Sequence, residues 1–178
     1  MSSEVGVKKA GTLSVVSTPI GNLSDITLRA LETLRRCDLV AAEDTRRALR
    51  LLNHFEIKKP VISCHAYNEH KITERIIGKI LCGANVAFLS DAGTPSVSDP
   101  GYLIVRKALE NGIEPLVVPG VSALTFAAAA SGLPMDRFSF HGFLPVKPGR
   151  RSKLLKEIAA AGITAFVFES PHRIGRLL

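Results

Sequence analysis

The chain has 178 residues, 46% of them hydrophobic, and a formal net charge of +7. Such a length and composition fit a packed globular protein of one full domain, or one domain and part of another. They exclude a helical membrane span, because no apolar run reaches the roughly 18–20 residues that a span needs, and the basic surplus favours a polyanionic partner through phosphate contacts.

In chain order, Met1 to Gly11 is short and polar and lacks the apolar stretch of a secretory signal, so it reads as a frayed lead-in. Leu13 to Ser17 is a β-branched apolar run and predicts a strand. A helix is predicted over Ile26 to Arg36 with Asp25 as its N-cap, then a strand over Asp38 to Ala42. Thr45 to Phe55 predicts a helix whose basic face carries Arg46, Arg47 and Arg50. Pro60 to Cys64 is a third strand. From Asn68 to Cys82, Ile72, Ile76, Ile77, Ile80 and Leu81 form one helical stripe, with Gly83 as the stop. Val86 to Leu89 is a fourth strand, and Asp99 followed by Pro100 opens a helix that ends before Gly112. Leu116 to Val118 is a fifth strand, followed by a small-residue helix from Val121 to Ala130.

Alternating strands and helices imply a parallel sheet covered on both faces. The first α/β domain is expected over 12–134, with a boundary near Pro134–Asp136. The stretch 135–178 opens a second α/β domain. It holds a strand over Phe138 to Phe143, a basic loop from Lys147 to Arg151, a helix over Lys153 to Ala161, a strand over Ala165 to Phe168 and a helix after Pro171. That second domain is expected to be incomplete. The chain as written is therefore expected to pair with itself to cover the apolar faces of these two strands.

Cys37, Cys64 and Cys82 show no CxxC spacing and lie in apolar contexts, so they read as buried, reduced thiols of a cytoplasmic protein. The five histidines form neither HxxxH nor HExxH, so no metal is expected.

In an open parallel sheet, ligands bind beyond the carboxyl ends of the strands. The loop after the first strand, Ser17-Thr18-Pro19-Ile20-Gly21-Asn22-Leu23, is neither a dinucleotide fingerprint nor a phosphate-binding loop. The loop after the fourth strand, Ser90 to Gly101, is long and rich in Gly, Pro and hydroxyl side chains. Glycine admits a ligand close to the backbone, and the hydroxyls supply hydrogen bonds. The loop after the fifth strand, Pro119-Gly120-Val121-Ser122-Ala123, is a tight turn into a helix. Simple strand-to-helix turns are the alternative reading. Three such loops on one edge favour a shared small-molecule pocket.

The segments STPIGNLSDIT, AAEDTR, LSDAGTPSVSDPG, PGVSAL and FESPHR, in this order, closely resemble the ribosomal RNA small subunit methyltransferase I family of the tetrapyrrole-methylase superfamily. The resemblance runs from about Thr12 to the end of the chain. It implies the two-domain α/β fold of class III methyltransferases, with S-adenosylmethionine bound between the domains, and a homodimer. It also implies methylation of a cytidine 2′-hydroxyl in small-subunit (16S) rRNA, in the cytoplasm and away from membranes. Carried over residue by residue, Gly93-Thr94-Pro95 resembles the superfamily's cofactor loop, with Thr94 where relatives often carry Asp and with Asp91 keeping a carboxylate nearby. Val97 belongs to the same loop. Ser122 and Ala123 resemble the residues that hold the methionine part of the cofactor. Pro19 and Gly21 resemble the first loop of the cleft, and Phe168 to Arg173 a second-domain segment facing it. One segment departs from the family: Cys64-His65-Ala66-Tyr67-Asn68-Glu69 has Tyr67 where the family often has a second histidine.

Methyl transfer to a ribose oxygen is an in-line displacement, so the protein positions two partners and removes a proton. Glu69, Asn68 and Asp44 are the catalytic candidates, with Glu43 as a further base. Charge at a helix amino end is the alternative role for Glu69, and an N-cap is the alternative for Asp44. Arg46, His65, Lys147, Arg150, His172 and Arg173 are the candidate RNA contacts. His172 and Arg173 follow Pro171 at a helix start, where backbone amides bind anions. Two other readings compete: a methylase of the same fold acting on a small, porphyrin-like molecule, and a non-catalytic RNA-binding fragment.

Overall fold

The computed structural model describes residues 9–175. Most of the Met1–Gly11 lead-in and the last three residues of the expected final helix lie outside them. By compactness the chain divides into Met1–Ala123 and Leu124–Leu178.

The first unit is a five-stranded parallel sheet with strand order β3-β2-β4-β1-β5. Its strands are β1 (Leu13–Val16), β2 (Leu39–Ala42), β3 (Val61–Ser63), β4 (Val86–Leu89) and β5 (Leu116–Val118). The helices between them are α1 (Leu28–Arg36), α2 (Thr45–His54), α3 (Glu69–Leu81) and α4 (Tyr102–Glu110). β1, β2 and β4 are buried along their whole length, as expected of central strands with helices on both faces.

Side chains alternate across the sheet and feed two cores. Leu13, Val15 and Phe88 pack with Ile76, Ile80 and Ile104 of α3 and α4. Val16, Val40 and Leu89 pack with Leu34, Leu51 and Leu52 of α1 and α2. Fully burying one such side chain is worth about 1.5–3 kcal/mol.

Several predicted boundaries shift, each for a local reason. Asp25 is not the cap of α1. The Asn22 side chain accepts from the Ser24 amide and closes a 3-10 turn over Leu23–Asp25. Thr27 then caps α1, its hydroxyl accepting from the Ala30 amide at 3.1 Å. Asp99 and Pro100 do not open α4. The Pro100 carbonyl accepts from the Ser96 amide within the loop, and Gly101 stands at the N-cap. The helix expected from Val121 begins at Ala123 as α5 (Ala123–Ser131). Cys37 and Cys64 are buried as expected, but Cys82 is exposed at the carboxyl end of α3, where the apolar stripe has already passed.

The second unit holds β6 (Phe138–Phe143), α6 (Pro148–Ala161), β7 (Thr164–Phe168) and α7 (Pro171–Ile174). β6 and β7 pair in parallel, with an irregularity between Phe140 and Phe143. Edge-on aromatic pairs bind them: Phe138–Phe166 at 5.5 Å, Phe140–Phe168 at 4.9 Å and Phe143–Phe168 at 5.6 Å. The basic loop expected over Lys147 to Arg151 is instead the start of α6. Lys147 is its N-cap, Pro148 occupies the first position that suits proline, and Arg150 and Arg151 lie in the first turn.

Candidate functional site

The carboxyl ends of β1, β4 and β5 bring three loops together. Thr18 and Gly93 form an isolated antiparallel bridge, with amide-to-carbonyl distances of 2.9 and 3.0 Å. The Ser17 and Thr94 hydroxyls lie 3.0 Å apart in a hydrogen bond. The Thr18 hydroxyl donates to the Ser90 carbonyl at 3.3 Å, and the Ser90 hydroxyl to the Gly93 carbonyl at 3.2 Å. These bonds satisfy Ser17, Thr18 and Ser90, which are all buried. Gly93 takes φ +80, and a Cβ there would point towards Ile20 Cγ2 at 3.4 Å and the Val121 carbonyl at 3.8 Å. Its backbone thus faces both neighbouring loops without a side chain between. Further along, Ser96 and Ser98 hold φ of 71° and 63°. Left-handed backbone costs a non-glycine residue about 1–2 kcal/mol, and it persists only where the surroundings impose it.

Beside these loops lies a cleft of about 560 Å³, bordered by Thr18, Pro19, Gly21, Asp44, Asp91 and the α2 arginines Arg46, Arg47 and Arg50. Three arginines fall on one side because positions 46, 47 and 50 share a face of α2. Asp44 is the N-cap of α2, accepting from the Arg46 amide at 2.9 Å and pairing with the Arg46 guanidinium at 2.7 and 3.1 Å. The Arg46 side chain, and then its amide, hold the Asp44 carboxyl well below the usual carboxylate range. Asp91 accepts from the Asp44 amide at 2.9 Å and stands 3.6 Å from the Arg47 guanidinium. Arg50 makes no ion pair among the described residues. Behind this wall, burial and then the charges of Asp91 and Asp99 push the Glu43 carboxyl up. Asp99 is pushed up by burial and by Asp91, against the Ser90 hydroxyl.

The sequence-predicted residues therefore divide. Pro19, Gly21, Asp91, Asp44 and Arg46 meet at the cleft. Gly93 and Thr94 lie on the adjoining bonded loops, Val97 further along the β4–α4 loop, and Ser122 and Ala123 at the turn into α5. Asn68 and Glu69 are engaged elsewhere. The Asn68 carboxamide accepts from the His65 amide at 2.8 Å and donates to the Ser63 carbonyl at 3.2 Å. Glu69 is buried and accepts from the Gly101 amide at 3.0 Å. His65 does not border the cleft; its Nδ1 is buried without a hydrogen-bond partner, and its ring lies edge-on to Tyr67 at 6.0 Å.

In the second unit, Lys147 and Arg150 lie at the amino end of α6, and His172 and Arg173 in α7. The Ser170 hydroxyl caps α7 by accepting from the His172 amide, and Arg173 pairs at 2.5 Å with Glu169, whose side chain is 3% exposed. Sequence reasoning passed over Ser17, Thr18 and Ser90. Their signal was there, as hydroxyl residues at the ends of apolar strands that can bond only to neighbouring loops. Among the described residues no group of His, Cys, Asp or Glu is placed to hold a metal ion, and no helix is long and apolar enough to cross a membrane.

Residues 12–178 match the family model of the tetrapyrrole (corrin/porphyrin) methylases. The chain is 48% identical over 168 residues to the ribosomal RNA small subunit methyltransferase I of Xylella fastidiosa, covering 94% of this chain and 62% of that protein. It is 50% identical over 164 residues to the protein of that name from Thermotoga maritima, covering 92% of this chain and 73% of that one. The chain thus spans less than two thirds of the length of most of these relatives, from 57% to 62% in the others. A solved structure of uroporphyrin-III C-methyl transferase from Thermus thermophilus, complexed with S-adenyl homocysteine, shares the fold. It has a TM-score of 0.61 at 22% identity, over 85% of this chain and 77% of that one. With a parallel α/β sheet and motif loops gathered at its carboxyl edge, this chain belongs to the tetrapyrrole (corrin/porphyrin) methylases and, within them, to the ribosomal RNA small subunit methyltransferase I family.

Proposed function

We propose that the chain serves an S-adenosylmethionine-dependent methyltransferase that modifies a cytidine ribose 2′-hydroxyl in 16S rRNA. The observation that carries this reading is the pairing of two unlike surfaces on one sheet edge. Two mutually bonded loops, with the turn after β5 beside them, suit a small neutral-to-cationic cofactor, and an arginine-bordered cleft next to them suits a phosphodiester strand. The names of the relatives support the same substrate class. We take 12–134 as the N-terminal domain and 135–178 as part of a second α/β domain, since β6 starts a new βαβ unit. A homodimer acting on the small ribosomal subunit in the cytoplasm completes the proposal.

The residues present fit the cofactor. Gly93 leaves its backbone bare between Ile20 and Val121, and Thr94 with Ser122 and Ala123 of the neighbouring turn would hold the amino-acid end. When bound, S-adenosylmethionine supplies an electrophilic methyl group. The chain's own task is to hold the ribose oxygen in line and to accept one proton. Asp91 and Glu43 suit the second role by position. Asp91 borders the cleft, and the raised carboxyl of Glu43 adjoins it. Arg47, already turned to Asp91, would be shared with a backbone phosphate.

The test is methyl transfer from S-adenosylmethionine to small-subunit rRNA, with the product mapped by primer extension at low nucleotide concentration. A 2′-O-methylated cytidine is expected. Transfer to a porphyrin-like acceptor instead would replace this reading with a small-substrate methylase.

A further inference from the structure

The loop from Ser90 to Gly101 is fastened at both ends. At its start, Gly93 and Thr94 are bonded to Thr18 and Ser17. At its end, the Gly101 amide donates to Glu69 Oε1 at 3.0 Å. Glu69 is the first residue of α3, and Gly101 is the N-cap of α4 with no side-chain cap of its own. One buried carboxylate therefore stands at the amino ends of two helices. Each of those ends presents unbonded amides and the positive end of a helix dipole. The fit is tight. Gly101 holds φ +134, and a Cβ there would lie 2.6 Å from the Ser96 hydroxyl and 2.8 Å from Phe88. Asn68 delivers the carboxylate by tying the β3–α3 turn back to Ser63 and His65. Between the two fastenings lie left-handed Ser96 and Ser98, with Val97 between them.

We infer that Glu69 is a positioning residue for the cofactor loop. Its carboxylate holds the Gly101 end, and through it the backbone that presents Thr94 and Val97. The ligand named here rests on the proposed function; the hold on the loop does not. Glu69 is not the proton acceptor, because its carboxylate is buried and already accepts a backbone amide.

Glu69→Gln keeps an oxygen acceptor of the same reach, and Glu69→Ala removes it. The first readout is amide hydrogen exchange across residues 93–102 of the full chain without ligand. Glu69→Ala is expected to speed exchange there by about tenfold or more, and Glu69→Gln by less than about threefold. The second is calorimetric titration with S-adenosylhomocysteine, in which Glu69→Ala loses about tenfold in affinity and Glu69→Gln restores most of it. In methyl transfer, Glu69→Gln should keep the pH profile of kcat, which loss of a general base would abolish. Unchanged loop exchange in Glu69→Ala, or equally fast exchange in Glu69→Gln, overturns the inference. If Glu69→Ala does not fold, Asn68→Ala decides: it keeps the carboxylate but loosens its turn, so faster loop exchange is expected and unchanged exchange overturns. A wild-type chain that binds no S-adenosylhomocysteine sinks the cofactor reading instead, while the exchange result still decides whether Glu69 holds the loop.

Discussion

The β4–α4 loop and the outer face of α2 border one sheet edge, yet they are built on opposite principles. The loop is held by hydrogen bonds at both ends and carries left-handed residues at Gly93, Ser96, Ser98 and Gly101. The α2 face carries Arg46, Arg47 and Arg50 with exposed side chains: Arg46 is paired with Asp44, Arg47 stands 3.6 Å from Asp91, and Arg50 makes no ion pair among the described residues. A bonded, strained loop is costly to build and presents atoms at fixed positions, which a small cofactor needs. An exposed arginine without a close partner, such as Arg50, keeps its rotamer freedom and acts by charge, which suits a phosphate chain that can slide and adjust. The two surfaces therefore fail differently when altered: the loop through geometry, the helix face through charge.

The largest effect should come from the loop's anchor. Gly101→Ala places a methyl group against Ser96 and Phe88 at a backbone angle that disfavours it. A loss of about 2–4 kcal/mol in unfolding free energy is expected, read by urea denaturation. Gly93→Val acts at the other end, where space is adequate but φ is +80. It should lower affinity for S-adenosylhomocysteine by at least about tenfold while far-ultraviolet circular dichroism and RNA affinity stay near wild type. Unchanged cofactor affinity would remove Gly93 from the site. On the α2 face, Arg50→Ala should leave cofactor affinity intact. It should weaken binding to a small-subunit rRNA fragment by a few-fold and flatten the slope of log affinity against log salt by about 0.7–0.9. An identical salt slope would make Arg50 a solvated charge.

The smallest effect concerns the carboxyls behind the cleft. Glu43 is raised in the folded chain, so the folded state holds its proton more tightly than the unfolded state does. Its ionisation therefore opposes folding at neutral pH, and that penalty fades as pH falls through the folded value towards the ordinary 4.5. Glu43→Gln should raise Tm at pH 7 by no more than about 2 °C, and the gain should shrink as the pH is lowered towards the ordinary 4.5. A gain that grows on acidification would contradict the sign.

Much of this was legible in the residues. The apolar runs at Leu13–Val16 and Val86–Leu89 and the isoleucine stripe of α3 predicted their elements almost to the residue, because burial on both faces leaves no other pattern. Helix starts were less legible. Asp25 and Asp99 have the right chemistry for caps, but a 3-10 turn and an irregular loop compete for their positions. Pro148-Gly149 suggested a loop, although proline is at home in a first helical turn. In the site, glycine and hydroxyl composition singled out the two loops that are bonded to each other at the sheet edge. That Glu69 reaches across to Gly101, 32 residues away, could not be read from either segment alone, since it depends on how α3 and α4 lie side by side.

Whether the cofactor sits on the bonded loops rather than in the arginine cleft is decided by titrating the isotopically labelled chain with S-adenosylhomocysteine and following backbone amide resonances. The largest shifts are expected at Gly93, Thr94, Val97, Ser122 and Ala123, with small changes at Arg46, Arg47 and Arg50. Shifts centred on the three arginines, or none in either region, would overturn the loop placement.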